Sequence, residues 1–289
     1  MSAPLMEMYL SYGISALKGK CPALADGVTA VPSFTLLSHM SQPIGLDYFG
    51  VYDGFFGAYS AKHFAERLHI AVAMGIHDEL VDEPPRYRQH PDDLEGWWRK
   101  TVLDAFRLVD EELVARVKTG IPVGCPAVFS LVLEKYIVLA NRGAACKAVI
   151  YRGEEAVQLT SQRRPEVLFS NFSSVSRIQR LDLVFRPYFP EPKVLRVKRE
   201  PRDKFLILAT GSFWDKITPA EACNYIQKRL RTLQIMSCKT SLHDTGSLTI
   251  LANELAEYAI LKGCQRNVTI VIILFKNFRD EHHPGTSKK

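Results

Sequence analysis

Short runs of apolar residues alternate along this chain with longer stretches of helical spacing. Residues 48–52 (Tyr48-Phe49-Gly50-Val51-Tyr52) are apolar throughout and read as a buried strand that Asp53-Gly54 closes. Residues 58–80 then carry a helical pattern. So do residues 94–118, where Trp98, Val102, Phe106, Val109, Leu113 and Val117 recur every three or four positions and make one apolar stripe. Between them, residues 81–96, with Pro84-Pro85 and Asp92-Asp93, read as a polar loop. Upstream, residues 13–17 and 33–37 read as strands.

Downstream, strands at 127–133 and 136–141 flank Glu134-Lys135, a two-residue hairpin turn. A second hairpin, 147–152 and 156–160, turns at Gly153. Residues 205–209 are a buried strand. Thr218-Pro219-Ala220-Glu221 then starts a helix, with a hydroxyl N-cap, proline at the first helical position and a carboxylate closing the capping box. A further helix, 248–261, is stopped by Lys262-Gly263, and residues 267–275 form a last strand. Hairpin-rich sheets with helices in antiparallel pairs predict an α+β fold, with two sheets packed together and helices outside.

A length of 289 residues at 47% apolar content, undivided by any low-complexity linker, predicts one domain over residues 1–279 and a polar tail over 280–289. No run of 18 apolar residues and no charged-then-apolar leader occurs, so a soluble protein of the cytoplasm or nucleus, with no membrane contact, is expected. The six cysteines (21, 125, 146, 223, 238 and 264) contain no C-x-x-C pair. Reduced thiols fit better than a disulfide framework or a zinc knuckle. The formal charge of +6 is modest, and the basic clusters at 163–164, 196–202 and 228–231 are interrupted by acidic and apolar residues. No nucleic-acid partner is expected from so broken a pattern.

The candidate chemistry starts at Asp53-Gly54. A carboxylate at the end of a buried strand, followed by glycine, can present a metal ligand at the rim of a sheet. It can equally be an Asp-Gly turn leading into a helix. Three further segments bear on that choice: Gly19-Lys20-Cys21-Pro22-Ala23-Leu24-Ala25-Asp26, then Phe205 to Asp215 through Ala209-Thr210-Gly211-Ser212, then Gly263-Cys264-Gln265-Arg266-Asn267-Val268-Thr269. With Phe49-Gly50-Val51-Tyr52-Asp53-Gly54-Phe55-Phe56-Gly57, these four blocks follow the order of a known family. The chain resembles the protein phosphatase 2C family of metal-dependent serine/threonine phosphatases, most closely its plant-type members, from about residue 13 to residue 275. The resemblance implies a four-layer αββα sandwich: two mostly antiparallel sheets flanked by antiparallel helix pairs, 58–80 with 94–118 and 219–233 with 248–261.

What the resemblance carries is scaffold; the chemical positions depart from it. In the family, carboxylates from the four blocks converge on a pair of Mg²⁺ or Mn²⁺ ions that polarise the phosphate and activate a bridging water. Here the positions of three of those four carboxylates are Ala25, Gly211 and Arg266, and only Asp53 remains. Asp26, which in the family acts through water, and Gly54, whose carbonyl is a ligand, are retained. The phosphate-gripping arginine falls at Cys21 and the histidine after D-G at Phe55. The D-S-R step is replaced by Ala144-Ala145-Cys146-Lys147, and the flap segment after residue 161 is short.

No catalytic residue and no bound metal is therefore assigned, beyond weak residual Mg²⁺ or Mn²⁺ binding. The implied reading is a pseudophosphatase, a monomer that acts through protein partners such as phosphoproteins, kinases or the partners of active relatives. Its rival is a weak metal-dependent serine/threonine phosphatase. One substitution leaves two geometric readings open: if the blocks converge, Arg266 projects toward Asp53 and its guanidinium can take the place of a lost metal, or it sits on a loop and turns into solvent.

Overall fold

A computed structural model describes residues 10–36, 45–54, 57–82, 91–116, 124–133, 135–160, 190–236 and 245–275. Two five-stranded sheets form its centre. The first runs β1 (Leu10–Leu17), β10 (Val268–Phe275), β9 (Asp203–Ala209), β6 (Lys147–Arg152), β7 (Glu155–Gln158). The second runs β2 (Gly27–Leu36), β3 (Gly45–Tyr52), β4 (Ala127–Val132), β5 (Tyr136–Arg142), β8 (Lys193–Lys198). Every neighbouring pair is antiparallel. Helices α1 (Ala58–Asp82) and α2 (Pro91–Arg116) cover the second sheet, and α4 (Pro219–Met236) and α5 (Thr245–Leu261) cover the first. A single turn, α3 (Gly211–Trp214), follows β9. This is the expected α+β sandwich.

Strand periodicity explains the three cores. In β3, Leu46, Tyr48 and Tyr52 face α1 and α2, while Phe49 and Val51 face the other sheet. In β10, Val268, Ile270, Ile272 and Leu274 face α4 and α5, while Val271, Ile273 and Phe275 enter the space between the sheets. All eight β10 residues are buried, so a continuous apolar run is what its central place requires. Each fully buried Ile or Phe contributes about 1.5–3 kcal/mol.

The helix layer over the second sheet holds one buried charge pair. Arg142, at the end of β5, is 1% exposed and donates from Nη1 to both Asp110 oxygens at 2.9 and 2.7 Å. Its Nε donates to the Cys125 carbonyl at 3.1 Å, and its guanidinium sits 4.4 Å from the Phe64 ring centroid and 4.7 Å from that of Phe106. Burial still pushes the Asp110 carboxyl up, outweighing the pull of Arg142.

Several boundaries differ from the pattern reading. β2 starts at Gly27 rather than residue 33; its ladder breaks between Val31 and Thr35. There Ser33 has φ 52° and its N–H is taken by Asp47 Oδ1 at 2.8 Å. Pro32 within this bulge is what hid the strand. β8 was not expected at all, because its alternation is masked by Lys193, Arg196 and Lys198 on an edge strand. Residues 81–96 are not a single loop, since α1 continues to Asp82 and α2 begins at Pro91, a favoured first helical position. The second hairpin strand is Glu155–Gln158 rather than 156–160. Glu134, Phe55, most of the segment after residue 161, and the tail 280–289 lie outside the described residues. Among the described residues no helix is long and apolar enough to cross a membrane.

Candidate functional site

The same period-two alternation decides which side chains meet at one end of the sandwich. Asp26 shares the parity of Val28 and Ala30, Asp53 that of Phe49 and Val51, Thr210 that of Leu206 and Leu208, and Thr269 that of Val271 and Ile273. All of these neighbours face the space between the sheets. The four strand ends therefore deliver Asp26, Asp53, Thr210 and Thr269 to one edge, where both aspartates are buried (7% and 5% exposed).

Hydrogen bonds tie this edge together. The Gly54 N–H donates to Asp26 Oδ1 at 2.9 Å, and the Thr269 hydroxyl donates to Asp26 Oδ2 at 2.9 Å. Thr269 N–H donates to Thr210 Oγ1 at 3.1 Å, and Thr210 N–H to the Thr269 carbonyl at 3.0 Å. Asp53 N–H donates to the Pro126 carbonyl at 2.9 Å. Gly54 has to be glycine: a Cβ there would lie 2.2 Å from the Ala25 carbonyl oxygen.

The opening block, residues 19–26, is a turn, and the last block stitches it in place. Asn267 Oδ1 accepts from Ala25 N–H at 2.7 Å, and its Nδ2 donates to the Lys18 and Ala23 carbonyls at 2.9 and 3.1 Å. Lys20 N–H donates to the Gln265 carbonyl at 2.9 Å, and Cys21 lies half-buried beside it. The Ser212 hydroxyl donates to the Asn267 carbonyl.

The electrostatics are those of two acids held together. Burial, and next the charge of Asp53, push the Asp26 carboxyl up to about 6. The hydrogen bonds from Gly54, Thr269 and Thr210 offset only part of this. Below the pair, burial raises the Cys146 thiol well above its usual range and the Cys125 thiol to about 12, which keeps both protonated.

Positions 25, 211 and 266 gather at the same edge, but they do not share its chemistry. Gly211 packs against the 143–146 loop. A Cβ on it would lie 3.0 Å from the Ala145 Cβ and 3.1 Å from the Ala145 carbonyl oxygen. Of the two readings drawn from the sequence, Arg266 follows the one that sets it on a loop at the rim. Its Nη2 donates to Asp215 Oδ2 at 2.9 Å, with the two side chains 43% and 55% exposed, so this pair sits at the solvent rim. Arg266 is not among the influences on Asp26.

The residues present do not fit a two-metal centre. Two ions carry four positive charges and call for several anionic oxygens, whereas among the described residues this edge buries two carboxylates, and both oxygens of Asp26 already accept hydrogen bonds. Ala145 backs directly onto the position from which a further carboxylate would come. Among the described residues no group of three or more His, Cys, Asp or Glu is arranged to hold a metal ion. Sequence reading singled out Asp26, Asp53 and Gly54 but missed Thr210, Thr269 and Asn267. Their small polar side chains at strand ends are the signal that would have found them.

Comparison with known proteins bears on this geometry. The family profile for Protein phosphatase 2C matches residues 182–268. Protein phosphatase 2C 77 of Arabidopsis thaliana is 26% identical over 93% of this chain and 72% of its own length, and Protein phosphatase 2C 56 of the same plant is 28% identical over 92% and 68%. Among solved structures, serine-threonine phosphatase 2C of Toxoplasma gondii superposes with a TM-score of 0.64 at 16% identity, covering 92% of this chain and 95% of that one. A C. elegans sex determining protein gives 0.63 at 19% identity, covering 92% of this chain and 64% of that one. These two show the fold alone. In sequence, the chain is similar to the Protein phosphatase 2C profile over residues 182–268 and to these plant relatives.

Proposed function

We propose that this chain is a catalytically silent protein phosphatase 2C-like protein, a pseudophosphatase that acts by binding other proteins. One observation carries the reading. At the edge where the family's carboxylates converge, two buried acids remain, and the three other positions are an alanine, a glycine closed off by Ala145, and an arginine paired outward with Asp215. Folding needs the apolar strand residues but not the carboxylates, since clustered acids repel one another when no cation joins them. A scaffold can therefore persist after its chemistry has gone. Partners of the kind expected are phosphoproteins, kinases or proteins that bind active relatives.

The test is hydrolysis of a phosphoserine or phosphothreonine peptide with Mn²⁺ in excess, run beside Asp53→Asn. No turnover above buffer is expected from either protein, and Mn²⁺ is expected to leave the melting temperature unchanged. Metal-dependent turnover that Asp53→Asn abolishes would overturn the reading in favour of a weak phosphatase.

A further inference from the structure

At the far end of β6 from the aspartate edge, a cleft of about 440 Å³ opens between the β6–β7 turn and α4. Its walls include Tyr151, Glu154, Asn224, Gln227, Lys228 and Arg231. Two of its polar side chains are built into the fold, for Tyr151 is 4% and Gln227 6% exposed. The Tyr151 ring is stacked on Phe205, with centroids 4.9 Å apart, and Lys204 Nζ lies 5.6 Å from its centre.

The charges here are arranged unlike those of the paired arginines elsewhere in the fold. Arg67 is paired with Glu112, Arg142 with Asp110, and Arg229, on α4 itself, with Glu254. Among the described residues, Lys228 and Arg231 have no carboxylate within ion-pair distance. Arg231 is held by a neutral group: the Gln227 amide, its oxygen turned toward the guanidinium, accepts from Nη2 at 2.9 Å and from Nε at 3.3 Å. An amide fixes the fork without neutralising it. Both cations stand three positions apart on one helix and line one concavity, with a carboxamide and a phenol beside them as further hydrogen-bonding groups.

From this geometry we infer that the cleft is a recognition site for a phosphate monoester, the phosphorylated serine or threonine of a partner protein. A guanidinium fork and an ammonium bind a tetrahedral dianion in complementary ways, the first directionally and the second as a point charge. The cleft is large enough for the ester and part of its flanking chain. Glu154, the one acid among the described lining residues, disfavours acidic flanks and favours a basic residue beside the phosphate. The choice of a protein-borne ester rests on the reading of this chain as a binding protein; the anion site itself does not.

Calorimetric titration of the full chain at low salt and pH 7.5 tests this, with O-phospho-L-serine, L-serine and inorganic phosphate as probes. One saturable site for O-phospho-L-serine is expected, with weaker binding of inorganic phosphate and no binding of serine. Combining Lys228→Ala with Arg231→Ala is expected to weaken it by about tenfold or more at an unchanged melting temperature. Arg231→Lys, which keeps the charge but loses the fork, is expected to fall between. Absence of saturation into the millimolar range, or equal affinity in the double variant, overturns the site. Inorganic phosphate binding as tightly as the ester overturns the protein-borne ligand. Heat is read here rather than turnover, so failure at this cleft leaves the proposed loss of catalysis standing, and activity at the aspartate edge leaves the cleft standing.

Discussion

Thr269 and Asp26 are 243 residues apart in sequence and joined by a 2.9 Å hydrogen bond, with the hydroxyl donating into a carboxylate that Asp53 repels. That relationship makes the edge sensitive to pH. A carboxyl whose pKa rises from 3.8 to about 6 on folding binds its proton more tightly in the folded chain. Its contribution to stability is full below pH 3.8 and is lost as pH rises to about 6, a change of about 3 kcal/mol. Because the two acids are coupled, the step belongs to the pair. Asp26→Asn, which keeps an acceptor for Gly54, is expected to match the wild type near pH 4 and to melt at a higher temperature at pH 7.5. Melting curves across that range check it.

Gly211→Asp puts a carboxylate at the position where the resemblance expects one, but the space for it is closed. The new Cβ meets Ala145 at about 3 Å, closer than ordinary contact, so the variant is expected to lose about 1–3 kcal/mol in urea denaturation. Adding Ala145→Gly is expected to recover part of that loss, a non-additivity that places the strain at this contact.

Arg142 and Asp110 form a pair whose two halves cannot be removed singly without cost. Asp110→Asn or Arg142→Met leaves one buried charge uncompensated and is expected to destabilise by about 3–5 kcal/mol. Replacing both with apolar residues of similar volume is expected to cost much less than the two single changes added together. Denaturant midpoints of the two single variants and the double variant decide it.

Arg266→Ala removes an exposed pair with Asp215 and is expected to change stability by no more than about 1 kcal/mol. A guanidinium committed to the buried aspartates would cost several times that, so the melting temperature of this one variant separates the two arrangements.

The layers of this fold were legible because they rest on apolar periodicity. The Tyr48–Tyr52 run, the α2 stripe and the start of α4 all declare themselves locally. At α4, Thr218 Oγ1 does accept the Glu221 N–H at 3.2 Å. β8 was illegible because an edge strand is held by backbone pairing with β5, which places little demand on its side chains. Arg142 reads as a surface residue by type; only the convergence of Asp110, Phe64 and Phe106 from two helices makes its burial tolerable. At the site, the strand end at Asp53 follows from the sequence; the one at Asp26 does not, because the Pro32 bulge hid the first half of β2. The direction taken by Arg266 does not, because a loop residue at a rim chooses among carboxylates by distances that spacing along the chain leaves open.

The pairing of β1 with β10 also sets when this protein can exist. Among the described strands, the neighbour that β1 pairs with is made about 250 residues after it. At ordinary rates of synthesis that interval is on the order of tens of seconds. Through it, β1 waits for the strand that pairs with it among the described residues, and β9 lacks the neighbour that separates it from β1. The first sheet can close only once β10 emerges, and with it the Asn267 contacts that fix the opening turn. A nascent chain halted before residue 268 would hold the α1–α2 layer over the second sheet and none of the aspartate edge in finished form.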